Sequence, residues 1–140
     1  MNEVVQALET RRSCRKFENR QVEPEKLEQI VETGLWAASG MGQQATHLVV
    51  VQDPADIATL IRMNAQIMGT SGDPFYGAPT VVVVLSDPAR GTCVEDGSLV
   101  IGNLMNAAHA LGVAPCWIHR AYEEFESDEG KKLLAKWGVE

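Results

Sequence analysis

The chain has 140 residues, of which 45% are hydrophobic and 22% are charged, and it carries a formal net charge of −7. This length and composition predict a single soluble domain over residues 1–140 that is large enough to bury a core. The acidic balance argues against a nucleic-acid partner, which requires a broad basic face, and no apolar run approaches the ~20 residues that cross a bilayer, so we expect no membrane partner either.

The cysteine content indicates a reducing compartment. Cys14, Cys93 and Cys116 give an odd number, and none belongs to a Cys-x-x-Cys pair. A disulfide framework and a metal site are therefore both unexpected, and no apolar segment at the N-terminus has the character of a signal peptide. We expect a cytoplasmic protein without a bound metal.

A basic segment follows the first predicted element, a helix over residues 3–10 with its apolar residues on one face. Five of the twelve Lys and Arg residues lie within ten positions, from Arg11 to Arg20. A planar guanidinium group donates two parallel hydrogen bonds to phosphate oxygens. This concentration of charge beside Ser13 therefore predicts a site for one compact anion, with phosphate the first candidate. The alternative is a solvated basic turn.

A second helix is predicted to begin at Pro24, because proline is favoured at the first helical position and apolar residues then recur at helical spacing. It leads into a loop of small residues, 37–44. Residues 48–51 are typical of a buried strand, and Asp53 is placed to cap a third helix. The residues predicted to face inward on that helix are Ile57, Leu60, Ile61 and Met68.

The second half of the chain alternates between strands and helices. Residues 69–79 are rich in Gly, Pro, Ser and Asp, which predicts a loop. The β-branched run over residues 80–85 predicts a strand that is buried on both faces. The remaining predicted elements are a long apolar helix over about 95–111, a third strand over 114–118, and a last helix over 128–137 capped by Ser127.

This pattern gives about five helices around three strands. A sheet of three strands has exposed edges, and the helix over residues 95–111 is more apolar than so small a body is expected to bury alone. Both observations predict a homodimer. The alternative is a compact monomer in which the long helix is central.

Four segments, in this order along the chain, resemble the FMN-dependent nitroreductase family. The Arg-Arg-Ser-x-Arg-x-Phe pattern at residues 11–17 is similar to the opening motif of the family, and the small-residue loop resembles its second flavin segment. Residues 95–112 resemble the central helix, and Cys-Trp-Ile-His-Arg at 116–120 resembles the strand end that passes the flavin ring. The resemblance implies an α+β, nitroreductase-like (FMN-dependent) fold with a central mixed or antiparallel sheet flanked by helices, in a homodimer with FMN at the subunit interface.

The resemblance also implies which residues bind the cofactor. The first segment would hold the FMN phosphate and ribityl chain, although Arg15 could instead reach the pyrimidine edge of the ring. The loop would approach a cofactor bound largely by the other subunit, Asn64 would contact the pyrimidine, and the last segment would offer main-chain groups to the flavin N5 and O4 atoms. The residues are Arg11, Arg12, Ser13 and Arg15; Ser39, Gly40, Met41 and Gln43; Asn64; and Ile118, His119 and Arg120.

Each assignment has a plainer alternative. The loop could be an ordinary helix C-terminus, Asn64 could simply be exposed, and the side chain of His119 could act as a catalytic acid. Because the chemistry of the family occurs at N5 of FMN, we expect no catalytic side chain. Gly42 and Ala45 depart from the family pattern, which often has Asn and Pro at these positions, so a side-chain contact at position 42 is not expected.

The implied reaction is a ping-pong cycle in which NADH or NADPH reduces FMN and leaves, and a nitroaromatic, a quinone or a similar electron-poor acceptor is then reduced. No Gly-x-Gly-x-x-Gly fingerprint is present, so the nicotinamide is expected to bind transiently. Alternatives are a flavin-binding protein without turnover (a redox sensor or a flavin carrier) and a module that recognises phosphopeptides or nucleotides. The resemblance further implies a strand and a basic tail after Glu140, so we expect either a longer protein or a shortened member.

Overall fold

The computed structural model describes residues 1–139, and in this range it contains helices and a small sheet, which confirms the α+β class. The elements in chain order are α1 (Glu3–Thr10), α2 (Pro24–Leu35), a 3₁₀ turn (Gly40–Gly42), β1 (Thr46–Val51), α3 (Pro54–Met68), β2 (Val81–Ser86), α4 (Cys93–Ala110), α5 (Ala121–Glu126) and α6 (Asp128–Lys136). Among these residues, no helix has the length and apolar character that a bilayer crossing requires.

The helix ends follow from local hydrogen-bonding chemistry. The side chain of Asp53 accepts hydrogen bonds from the N–H groups of Ala55 and Asp56 at the start of α3, at 2.7 and 3.4 Å. Ser127 Oγ accepts from the N–H of Gly130 at 3.0 Å at the start of α6. Both predicted caps are confirmed, since each satisfies an N–H group that the helix itself leaves unpaired.

The strands β1 and β2 form a two-stranded antiparallel sheet. Thr46 Oγ1 lies 3.4 Å from Ser86 Oγ near one end, and Gln52 Nε2 donates to Thr80 Oγ1 at 3.0 Å near the other. The predicted burial of residues 80–85 on both faces is wrong. Of the residues in β2 only Val83 is fully buried, because a sheet of two strands leaves both of its members at an edge.

The third strand predicted over residues 114–118 is also wrong. The structure gives these residues no regular secondary structure. The N–H of Cys14 donates to the carbonyl of Pro115 at 3.0 Å, so the segment has a backbone contact. Pro115, however, has no N–H to contribute to a ladder, which is why apolar composition alone does not make a strand here.

The chain divides into two compact units. The first consists of Met1–Cys14, Gln21–Leu48 and Val84–Trp117, and it includes α1, α2 and α4. The second consists of Arg15–Arg20, Val49–Val83 and the residues from Ile118 onward, and it includes α3, α5 and α6. The prediction of one domain over residues 1–140 stays a prediction, and its last residue, Glu140, lies outside the described residues.

In the first unit, α2 packs closely against α4 at Gly34. A Cβ atom at this position would lie 2.5 Å from Leu104 Cδ2, so glycine is required for the two helices to approach this closely. α1 is joined to α4 by the Thr10 Oγ1–His109 Nε2 hydrogen bond of 2.9 Å, but none of its residues is buried. The buried apolar residues of the two larger helices are Ile30, Val100, Leu104 and Ala108.

In the second unit, α6 is tied to α3 through Asp56. Lys136 Nζ and Trp137 Nε1 donate to its two carboxylate oxygens at 2.6 and 3.1 Å, and these bonds, with that from Lys136 the larger influence, hold the pKa of Asp56 below its ordinary value. The prediction that Ile57 and Leu60 face inward is confirmed, but for Met68 it is wrong. Met68 is 55% exposed, because it lies in the last turn of α3.

Candidate functional site

The basic segment begins where α1 ends. Arg11 is the C-terminal cap of α1, and its extended backbone turns the chain out of the helix. Its guanidinium is half-buried, and the Nη1 group is completely buried without a hydrogen-bond partner among the described residues. A buried cationic N–H group without an acceptor is costly, so this atom is suited to receive an oxygen from an anion.

The neighbouring residues of the segment are exposed. Arg12 Nη1 donates to the carbonyls of Glu9 and Arg11, both at 2.8 Å, which leaves the other face of its guanidinium available to an external acceptor. Ser13 is exposed in the first unit, and Arg15 is exposed in the second unit. The structure thus brings Arg11, Arg12 and Ser13 together at the end of one helix.

The loop after α2 is built on a buried aspartate. Asp96, only 4% exposed at the start of α4, accepts hydrogen bonds from the N–H of Gly40 at 2.9 Å and from Thr92 Oγ1 at 3.0 Å. A Cβ atom at Gly40 would overlap Thr92 Oγ1, so glycine is required at this approach. Ser39 Oγ accepts from the N–H of Gln44 at 2.9 Å. Specific side-chain hydrogen bonds therefore hold this loop, and its contact with a flavin stays a prediction.

This loop presents Met41 to the outside in an unusual conformation. Met41 has φ 54° and a side chain that is 88% exposed, a combination that is uncommon for a bulky residue. Gln43 Nε2 donates to the carbonyl of Met41 at 3.4 Å, so the two candidate residues of this turn are in contact. Backbone strain of this kind is often maintained at binding sites by the surrounding structure.

In the second unit, Asn64 connects three parts of the chain. Its Nδ2 group donates to the carbonyl of His119 at 2.9 Å and to Glu124 Oε2 at 3.1 Å, and its Oδ1 accepts from Arg120 Nε at 2.9 Å. The side chain is fully buried, with 0% exposure. The alternative that Asn64 is simply an exposed helical residue is therefore wrong. Direct contact with a flavin stays a prediction.

The segment at residues 118–120 has a special backbone geometry. Arg120 has φ 81°, a left-handed conformation, and it starts α5. Within residues 1–139, the N–H groups of Ile118, His119 and Arg120 donate to no other backbone carbonyl. These main-chain donors therefore have no backbone acceptor, while the carbonyl of His119 accepts from Asn64; their contact with a flavin stays a prediction.

Glu124 completes this cluster, and no pattern in the sequence pointed to it. It is 3% exposed, and burial raises its pKa to about 7 against the opposing effects of the Asn64 hydrogen bond and the Arg120 charge. Its Oε1 atom is buried and has no hydrogen-bond partner among the described residues. No group of three or more His, Cys, Asp or Glu residues in the described chain could hold a metal ion.

Comparisons with known proteins agree with this arrangement. The sequence model of the Nitroreductase family matches residues 8–69. A solved nitroreductase with bound FMN from Bacteroides fragilis is 27% identical, with a TM-score of 0.91, and the match covers 100% of this chain and 82% of that one. This chain is therefore similar to the Nitroreductase family in the sequence of residues 8–69, and to a solved nitroreductase in its fold.

Two further proteins show a similar degree of likeness to this chain. A nitroreductase with bound FMN from Desulfitobacterium hafniense is 28% identical, with a TM-score of 0.87 and coverage of 100% of this chain and 82% of that one. A protein of Methanothermobacter thermautotrophicus, provisionally named an NADH dehydrogenase/NAD(P)H nitroreductase, is 27% identical over 82% of this chain. The present chain spans 60% of the length of that relative. The family's sequence model includes the basic segment, the loop and Asn64, whereas residues 118–120 lie outside the matched range.

Proposed function

We propose that this chain is an FMN-dependent oxidoreductase that transfers reducing equivalents from NAD(P)H by a ping-pong mechanism to nitroaromatics, quinones or similar electron-poor acceptors. The observation that carries the proposal is the buried Nη1 group of Arg11, which has no partner among the described residues and lies in a basic segment that the Nitroreductase family model matches. Two of the similar solved nitroreductases contain bound FMN, which supports the choice of ligand.

The residues that are present fit the phosphate of this cofactor. A phosphate ester that carries close to two negative charges needs cationic donors and hydroxyl groups, and Arg11, Arg12 and Ser13 supply both at the end of α1. The unsatisfied N–H of Arg11 would gain an acceptor, so binding would remove a cost that the free protein carries. Arg15 is proposed as a further phosphate or pyrimidine contact.

The remaining proposed cofactor-binding residues act mainly through their backbone. The loop of Ser39, Gly40, Met41 and Gln43 would allow close approach, and the free N–H groups of residues 118–120 would donate to the N5 and O4 edge. Asn64 orients that segment through the carbonyl of His119. Each of these residues is proposed as a cofactor contact on the basis of its own hydrogen bonds and exposure within its unit.

When bound, FMN supplies the hydride chemistry at its N5 atom. The chain's own groups bind the cofactor and set its electrostatic surroundings, and we assign no side chain to the chemical step. His119 is exposed, and its carbonyl is the part that has a defined partner. Because main-chain N–H groups would donate to the N5 and O4 edge of the flavin, the proposal does not require a catalytic histidine.

We also propose a cytoplasmic homodimer with the cofactor at the subunit interface. Support comes from apolar side chains of the first unit that are exposed in the single chain and would be covered by a second copy. These residues are Val4, Val5 and Leu8 of α1, Leu35 at the end of α2, Trp36 directly after it, and Val94 and Leu99 of α4. Trp36 is 76% exposed in the single chain, so it is not a core residue.

The proposal is tested with purified protein and FMN. We expect a flavin absorbance band that bleaches when NADH or NADPH is added without oxygen and returns with a nitroaromatic or a quinone. A flavin that binds but is never bleached by either nicotinamide would favour the sensor or carrier. Absence of FMN binding would contradict both and leave the phosphate-recognition module.

A further inference from the structure

The second unit contains a buried carboxyl group that the proposed reaction does not use. One oxygen of Glu124 accepts from Asn64, and the other is buried with no hydrogen-bond partner among the described residues. Buried carboxyl groups are normally paired or fully hydrogen-bonded. A half-satisfied carboxyl of this kind is therefore a candidate for a functional role.

Asn64 links this carboxyl to the candidate binding segment. Both of its N–H donors are used, one by Glu124 and one by the carbonyl of His119, and its carbonyl oxygen receives Arg120 Nε. Because a planar amide cannot turn without breaking all three bonds, the bond to Glu124 fixes the orientation in which the amide holds the other two groups.

We propose that Glu124 is a positioning residue whose protonation controls how firmly Asn64 holds the His119 carbonyl and the Arg120 side chain, and thereby how tightly residues 118–120 hold the cofactor. The part of this proposal that concerns cofactor binding rests on the proposed function. Glu124 touches neither cofactor nor substrate in this proposal, and it acts only through Asn64.

The strength of the Asn64–Glu124 bond depends on charge. A hydrogen bond to a carboxylate is roughly twice as strong as one between neutral groups, so the amide is held more firmly when Glu124 is ionised. Burial raises the pKa of Glu124 to about 7, and therefore the change falls near neutral pH. The firm state dominates above that pH and the loose state below it.

The groups around Glu124 do not override this change. The Arg120 charge favours the ionised form, and the Glu123 charge disfavours it. α3 contributes the neutral Asn64, and α6 faces the backbone of Glu124 with Gly130, where a Cβ atom would overlap the Glu124 carbonyl. The Glu124 carbonyl also accepts from Ser127 Oγ at 2.5 Å, which anchors the residue independently of its carboxyl group.

The first experiment needs no cofactor. The side-chain carboxyl carbon of Glu124 is followed by NMR between pH 5 and 9, together with the Asn64 Nδ2 and Arg120 Nε resonances. We expect the three signals to share one midpoint, and the Asn64 and Arg120 transitions to disappear in Glu124→Gln. Independent midpoints, or Asn64 and Arg120 transitions that persist in Glu124→Gln, would overturn the proposal.

The second experiment measures FMN affinity by quenching of flavin fluorescence at pH 6 and pH 8. The cofactor phosphate titrates in the same interval in every variant, so the wild-type ratio of dissociation constants at the two pH values is divided by that of Glu124→Gln. We expect this quotient, with the dissociation constant at pH 6 divided by that at pH 8 in each protein, to be about five. The reason is that a charge-assisted hydrogen bond is replaced by a neutral one when Glu124 is protonated. Glu126→Gln, an exposed residue of the same helix, is the matched control and should behave as wild type.

The effect must also be reciprocal. If ionised Glu124 favours FMN, saturating FMN must lower the NMR midpoint of Glu124 by about 1 pH unit, because a shift of this size from about 7 produces the fivefold quotient between pH 6 and pH 8. This measurement uses the wild-type protein and decides the matter even if Glu124→Gln does not fold. An unchanged midpoint with FMN bound would overturn the coupling. Absence of FMN binding at every pH would instead overturn the proposed function and the cofactor half of this inference, while the first experiment still decides the network.

Discussion

The two units hold their candidate binding groups in opposite ways. In the first, Arg11 keeps a buried Nη1 group without a partner among the described residues. In the second, Asn64 is also buried, but each of its side-chain polar atoms is hydrogen-bonded to protein. An unsatisfied group lowers the stability of the free protein and gains from a ligand, whereas a satisfied one supports the fold. Substitutions should therefore affect affinity in the first unit and stability in the second.

The largest effect is expected from Asn64→Ala. The substitution removes one buried and two partly buried hydrogen bonds and leaves both carboxylate oxygens of Glu124 without a partner, so the free energy of unfolding should fall by roughly 3 kcal/mol in urea at pH 7. The matched control is Asn103→Ala in the first unit, where one exposed bond to the Thr33 carbonyl at 3.2 Å is lost. If both variants lose the same amount of unfolding free energy, the hydrogen bonds of Asn64 do not support the fold more than an exposed bond does.

The next effect is a pH dependence of stability. The pKa of Glu124 is raised to about 7 in the folded protein from an ordinary value of 4.5, so the folded state binds more protons between these values. Its contribution to stability is therefore fully present below pH 4.5 and is lost as the pH rises to 7. Relative to Glu124→Gln, the wild type should lose roughly 2 kcal/mol between pH 5 and pH 8 in urea unfolding. If the difference in the free energy of unfolding between the two proteins does not change with pH, or changes in the opposite direction, then folding does not raise the pKa of Glu124.

Arg11→Ala should change affinity rather than stability. One charge-assisted contact to a phosphate is worth about 1.5–3 kcal/mol, so FMN should bind roughly 10- to 100-fold more weakly. The free energy of unfolding of the free protein should stay the same or rise slightly, because a buried group without a partner is removed. Arg20→Ala removes the same charge from the same segment, where Arg20 Nε pairs with Glu18 at 2.6 Å. If the two variants bind FMN equally well, the buried Nη1 group is not the anion site.

The smallest effect is expected from Arg12→Ala. Arg12 is exposed, and its two bonds to backbone carbonyls can be replaced by water, so unfolding should change by less than about 0.5 kcal/mol. FMN affinity should fall by roughly tenfold, less than for Arg11, because an exposed charge is screened. Thermal unfolding with and without FMN checks this. An equal loss of stability in both conditions would mean that the side chain serves the fold alone.

Long periodic segments of the fold could be predicted from the sequence. The helices α2 to α4 and α6 have apolar residues at helical spacing, and α3 and α6 also have side-chain caps, so their positions were predicted closely. α5 was missed because its six residues are too few to show a period and because it starts at a left-handed Arg120. The strand predicted over residues 114–118 failed because composition does not reveal whether a partner strand is present.

The candidate site was predictable only in part. The basic segment was visible because five charges stand together in the sequence. Asp96 and Glu124 were not visible, since nothing in a helical period tells which of several adjacent acids is turned inward. The network around Asn64 joins residues 55 to 60 positions apart, and such contacts depend on how the helices pack.

The contact between Gly34 and Leu104 has a consequence for sequence variation among related chains. Because a methyl group at position 34 would collide with the end of the Leu104 side chain, the sizes of the two residues are complementary. Relatives that carry alanine or serine at position 34 should compensate with a smaller residue at position 104. The two positions are therefore expected to covary, and exchanging bulk between them offers a route to repacking α2 on α4 while preserving the volume that they share.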